Sequence, residues 1–101
     1  MREEGKYLYG IIGTNEERNF GAIGLGGQEV ETIAYRDLSA VISNTQMGKY
    51  VVNRENLLAH QRVLERIMKD HTVLPVRFCT VAANAEEIRG LLERRHQELK
   101  H

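Results

Sequence analysis

The sequence predicts an α+β domain with elements in the order β-β-β-α-β-α, and three observations carry that prediction. Residues 53–81 read as one amphipathic helix, a short turn and one apolar strand. Three short apolar segments with two-residue alternation precede that unit, and a second amphipathic helix follows from residue 84.

Residues 6–12, KYLYGII, form the first strand, with Tyr7, Tyr9 and Ile11 on one side and Leu8, Gly10 and Ile12 on the other. Both sides are mostly apolar, so this strand belongs inside the sheet rather than at its edge. Residues 13–28 read as a connecting loop, because the run FGAIGLGG is too glycine-rich to hold a helix. Residues 29–36 and 38–44 are the second and third strands, joined at a tight turn by Asp37, which restricts them to antiparallel pairing.

Asn53 is a suitable N-cap for the first helix. Within it, Leu57, Leu58, Leu64, Ile67 and Met68 recur at helical spacing and are expected to form its buried stripe, with Glu65 and Lys69 as an i, i+4 ion pair. The following strand, 73–81, alternates Leu74, Val76 and Phe78 against Arg77 and Cys79, and Pro75 confines it to a strand start or an exposed edge. The third strand, the helix and this strand form a β-α-β crossover. The last helix opens on Asn84 with Glu87 three residues on, a capping-box-like pair, and carries Ile88, Leu91, Leu92 and Leu99 as a thin apolar stripe interrupted by Gly90. Gly90 is unfavourable in a helix and is expected to mark a close backbone approach. Together these elements give a ferredoxin-like two-layer sandwich: a four-stranded mixed sheet with both helices on one face. The other face is expected to lie open, displaying Ser39, Ser43, Arg77 and Cys79. Residues 1–83 form the α+β unit, and 84–101 the start of a helical region that reads as cut rather than finished.

Composition narrows the function classes. Lysine plus arginine and aspartate plus glutamate each number 14 in 101 residues, a net charge of zero that gives no general attraction to nucleic acid or anionic membrane. The single cysteine excludes an internal disulfide and fits a reducing compartment. No signal-peptide or membrane-spanning run is present, so a cytoplasmic protein is expected.

The residues with chemical potential have plainer readings. Gly21, Gly24, Gly26 and Gly27 lie between two strands, whereas phosphate cradles run from a strand to a helix N-terminus, so a flexible connector is expected. Cys79 could act as a nucleophile with His60 or His71 as base, but a lone strand cysteine is more simply a small buried hydrophobe. His60 and His71 are about 16 Å apart along a helix, too far to share a metal. His60, beside the leucine stripe, reads as a boundary residue with a hydrogen-bond partner. Tyr7 and Tyr9 read as packing residues, since the aromatic and basic pattern of an RNA-binding sheet is missing. No metal, cofactor or catalytic residue is expected.

Three blocks, KYLYGII, YRDLSAVIS and LLAHQRVLERIMKDHTVLPVRFCTV, resemble the gas vesicle proteins of the GvpF/GvpL type. The third block is the most specific, with its helix histidine His60, the VLE that follows and VLPVRF in the next strand; the chain carries Cys79 where the family usually has glycine. The resemblance implies a ferredoxin-like N-terminal domain in a longer protein, and a non-enzymatic accessory or minor structural role in gas vesicle assembly. Its expected partners are the main gas vesicle shell protein, other gas vesicle proteins and further copies of itself, with no nucleic acid and no membrane. Ile88, Leu91, Leu92 and Leu99 are the candidate partner-binding residues, because an unfinished helix needs its apolar stripe covered. The competing reading is a small ferredoxin-like enzyme or ligand-binding domain that uses the open sheet face.

Overall fold

In the computed structural model, which describes residues 4–46 and 54–99, every predicted element is present. The chain runs β1 (Glu4–Ile12), β2 (Asn19–Gly21), a 3-10 turn (Leu25–Gly27), β3 (Val30–Tyr35), β4 (Leu38–Gln46), α1 (Arg54–Met68), β5 (Val73–Ala82) and α2 (Ala85–Leu99). The predicted Asn53 cap lies outside the described residues.

The sheet differs from the predicted one in strand number and direction. It has five strands in the order β2-β3-β4-β1-β5, and every pairing is antiparallel. The added strand, β2, is three residues long inside the glycine-rich segment, too short to carry a periodic signal. The β4–α1–β5 crossover joins strands that run parallel, but β1 lies between them and pairs antiparallel with both, so no parallel ladder forms.

The helices sit on opposite faces, not on one. On β1, Tyr7 and Tyr9 pack with Val41, Val63 and Ile67, under α1. Their neighbour Leu8 packs with Ala40, Ile42, Ile88 and Leu92, under α2. Successive residues of β1 and β4 thus feed two cores, making three layers of helix, sheet and helix. The strong apolar character of both sides of β1 is the sequence trace of this double coverage. Ser39 and Ser43, expected on an open face, are buried. Ser39 Oγ donates to the Thr14 carbonyl at 2.6 Å and Ser43 Oγ to the Glu29 carbonyl at 2.9 Å, so both serines fasten the 13–29 segment over the α1 side of the sheet.

A β-bulge changes the facing of β1. Leu8 pairs with Ile42 and Gly10 with Val41, leaving Tyr9 as the extra residue. The predicted alternation therefore fails after Tyr9: Ile11 joins the α2 core and Ile12 the α1 core. Gly10 is required here, since a Cβ would come within 2.8 Å of Val73 Cγ1 and 3.4 Å of Leu64 Cδ2. Against β5 the same step is larger, from Leu8–Thr80 to Gly10–Pro75, so the register with this strand shifts by several residues. Pro75 accordingly lies in an edge strand, where its missing donor costs nothing to a second ladder.

α1 is rotated from its predicted orientation. Its buried residues are His60, Val63 and Ile67, whereas Leu57, Leu58 and Met68 are 48, 51 and 57% exposed. Leu64 lies between the two groups, half-buried. The i, i+4 ion pair that forms is Arg66–Asp70 at 3.3 Å, one residue on from the predicted Glu65–Lys69. α2 begins with the expected cap, Glu87 N–H donating to Asn84 Oδ1 at 3.0 Å, while Glu87 Oε1 accepts from the Ala83 N–H at 3.1 Å. That reciprocal bond falls one residue before the usual capping-box donor.

Gly90 does not mark a close approach. A Cβ there would find nothing within 4 Å. Gly90→Ala is therefore expected to stabilise the chain by about 0.5–1 kcal/mol through helix propensity alone, read as a higher denaturation midpoint.

Candidate functional site

The glycine-rich segment builds a polar centre rather than a flexible link. Gly24 and Leu25 are buried, and the turn is closed by Gly24 N–H to the Gln28 carbonyl at 2.9 Å and Gly27 N–H to the Gly24 carbonyl at 3.0 Å. The Leu25 N–H donates to Tyr9 Oη at 3.0 Å, and Tyr9 Oη lies 2.8 Å from Ser43 Oγ. Because Ser43 gives its proton to Glu29, Tyr9 donates to Ser43 while accepting from Leu25. Burial raises the Tyr9 pKa, the hydrogen bonds with Ser43 and Leu25 opposing that shift. No side chain fits at position 24, where a Cβ would lie 2.6 Å from Ser43 Oγ and closer still to Tyr9 Oη.

His60 enters the same core from α1. Its Nδ1 lies 2.9 Å from Tyr7 Oη, and its ring sits 5.8 Å from Tyr7 and 5.6 Å from Tyr9 between centroids. The expected hydrogen-bond partner is thus Tyr7, but the histidine is only 4% exposed, so it belongs to the core and not to its boundary. Burial lowers its pKa, because the imidazolium would lose its hydration. With Tyr7 and Tyr9 closed around it, this ring serves packing and orientation.

His71 and His96 hold joints between elements nearer the surface. His71 Nε2 lies 3.7 Å from Glu16 and 3.4 Å from Arg18 Nη1 just past α1. His96 Nε2 meets Asp37 at 2.7 Å, tying α2 to the β3–β4 turn. His60, His71 and His96 therefore sit apart, and no group of metal-binding side chains occurs among the described residues. The Cys79 side chain lies outside the described residues.

The candidate partner-binding residues separate. Ile88 and Leu92 are fully covered by the chain's own sheet, which leaves neither a surface to offer. Leu91 is half-buried and lines a cleft of about 330 Å³ between α2 and the end of β5, with Gly90 and Arg94 also in its wall. The Leu99 side chain lies outside the described residues. The large exposed apolar side chains among the described residues are all on α1: Leu57, Leu58 and Met68. Hydrophobic periodicity alone missed them as surface, because it counts every leucine toward the buried stripe.

A second surface lies on the side of α1 that faces the 20–27 segment. Ile23, Arg62, Glu65, Arg66 and Lys69 line a cleft of about 260 Å³ there. Beside it, the Arg18 and Arg66 guanidinium groups both cover the Phe20 ring, at 5.0 and 5.7 Å from its centre, and both reach Asp70.

Comparison with known proteins places this architecture. The profile of the family described as gas vesicle synthesis protein GvpL/GvpF matches residues 5–101. The chain belongs to the GvpL/GvpF family. Gas vesicle protein F of Dolichospermum flosaquae is 32% identical over 94 residues, covering 91% of this chain and 38% of that protein. Gas vesicle protein F1 of Halobacterium salinarum is 32% identical over 101 residues, covering 96% and 47%. The crystal structure of GvpF from Anabaena sp. PCC7120 superposes with a TM-score of 0.82 at 31% identity, covering 96% of this chain and 41% of that one. GvpF from Microcystis aeruginosa gives 0.79 at 29% identity. The chain thus spans less than half the length of these GvpF relatives. No helix among its described residues is long and apolar enough to cross a membrane.

Proposed function

We propose that this GvpL/GvpF-family chain is an accessory or minor structural component of gas vesicles that acts in assembly by holding other proteins, with no reaction performed. Its partners in this reading are the main shell protein, other gas vesicle proteins and further copies of itself, met in the cytoplasm or on the vesicle. The observation that carries the reading is the set Leu57, Leu58 and Met68, exposed on a helix whose opposite side is fully used in the core. Exposed apolar residues grouped on one element cost solubility and are kept where they meet another protein. A reading as a small ferredoxin-like enzyme or ligand-binding domain needs an open sheet face with converging polar groups. Two residues assigned to that face, Ser39 and Ser43, are instead committed to carbonyls of the 13–29 segment.

The test is co-purification of the tagged chain with the main gas vesicle shell protein of the same organism. Retention is expected, with a loss of about tenfold in Leu57→Glu/Met68→Glu, since neither residue supports the core and interface anchors carry energies of this order. Failure to retain the shell protein or any other gas vesicle protein, together with a strictly monomeric chain, would overturn the reading.

A further inference from the structure

The cleft between α1 and the 20–27 segment combines an apolar residue with cations that have no carboxylate partner among the described residues. Ile23 lines it and packs against the α1-side core. Leu58, 51% exposed, stands one helical turn before Arg62 on the same side of α1. Arg62 and Lys69 enter none of the ion pairs among the described residues. Arg66 and Arg18 share the single carboxylate of Asp70. The cleft lining thus holds three cations, Arg62, Arg66 and Lys69, against one carboxylate, Glu65, in a chain whose total charge is zero. The excess is segregated at a concave site bordered by aliphatic side chains.

From this juxtaposition we propose that the cleft docks an acidic amphipathic segment of a partner protein, aliphatic side chains on Ile23 and Leu58 and carboxylates on Arg62 and Lys69. The proposal rests on the reading of the chain as a binding component and specifies the partner's chemistry. Carboxylates suit the site better than a polyphosphate does. Glu65 and Asp70 lie among the cations and repel a continuous line of negative charge, while separate carboxylates can be placed between them. An aliphatic component is needed to cover Leu58 and Ile23, which a nucleic-acid backbone does not provide. Arg62 and Arg66 present planar forks that match carboxylates two at a time.

The experiment is an amide chemical-shift titration of the whole chain with a short synthetic peptide of leucine and glutamate at amphipathic helical spacing. Shifts are expected to cluster at Ile23, Leu58, Arg62, Arg66 and Lys69. Affinity should fall about tenfold in Arg62→Glu/Lys69→Glu, both exposed positions, and severalfold between about 50 and 300 mM NaCl. The same peptide with lysine for glutamate should not bind. Several results would overturn the proposal: no shifts at these residues, equal binding of the lysine peptide, or tighter binding of a single-stranded oligonucleotide or phosphatidylserine vesicles. Self-association of the chain through this cleft would overturn it as well. Retention of the shell protein without any response to the acidic peptide would remove this site and leave the assembly role standing.

Discussion

Leu92→Ala is expected to destabilise the chain by about 2–5 kcal/mol, the usual cost of deleting a fully enclosed leucine side chain. Leu92 is fully buried, and it packs with Leu8, Ile11, Ile42 and Ile88 between α2 and the sheet. A chain of this size has only about 5–15 kcal/mol of net stability, so the loss takes a large part of it. Equilibrium urea unfolding followed by circular dichroism measures the change. Leu57→Ala in the same background sets the scale, since that exposed leucine should cost less than about 0.5 kcal/mol. If the two substitutions cost the same, α2 is not part of the core. The contrast also separates the two sources of helix stability: α2 is held by tertiary burial, because an isolated helix of its length with a glycine inside is marginal in water.

These two leucines mark the limits of what could be read from the sequence. In α2, periodicity places Ile88 and Leu92 on one apolar stripe with Leu91 and Leu99 and shows that the stripe needs cover. What covers it was not legible, because helix period is silent on which sheet face the helix meets. The two-sided apolar character of β1 held that answer in the alternation of Tyr7, Leu8 and Tyr9, all fully buried. In α1 the same method fails, because leucine and methionine outweigh histidine on any hydrophobic scale. His60 is buried through its contact with Tyr7 Oη, a residue 53 positions earlier, and no local pattern encodes such a partner. The bulge at Tyr9 is a comparable case. One extra residue reverses the facing of Ile11 and Ile12, and the close approach of Leu64 and Val73 to Gly10 beside it is a tertiary contact that no local pattern encodes. The candidate site shares this fate: with α1 rotated, Leu57, Leu58 and Met68 of the predicted core stripe are at the surface, while Ile88 and Leu92 of the predicted partner-binding set are inside.

Stability is expected to fall as pH drops below about 6.5, the ordinary range of an unperturbed histidine, and His60 is the group responsible. Its folded-state pKa is lowered by burial. Between the folded and unfolded values the unfolded chain binds a proton that the folded chain does not, so acid favours unfolding. The stabilisation is complete above the unfolded pKa and is lost progressively toward the folded one, with a slope of at most about 1.4 kcal/mol per pH unit. The Tyr7 and Tyr9 phenols of β1 face the ring, and neither carries a charge at these pH values. A proton on Nδ1 would also force Tyr7 to accept where a neutral Nδ1 lets it donate. Urea midpoints measured between about pH 7.5 and 5 read the effect. His60→Gln keeps a polar group within reach of Tyr7 and removes the titration, so its midpoints should change less over this range than those of the parent chain. His71 and His96 contact carboxylates at the surface and are present in both proteins, which leaves the difference between the two curves to His60 alone. Superposable curves would mean that the ring is charged at no cost inside the core, and the packing of α1 through His60, Val63 and Ile67 would need another explanation.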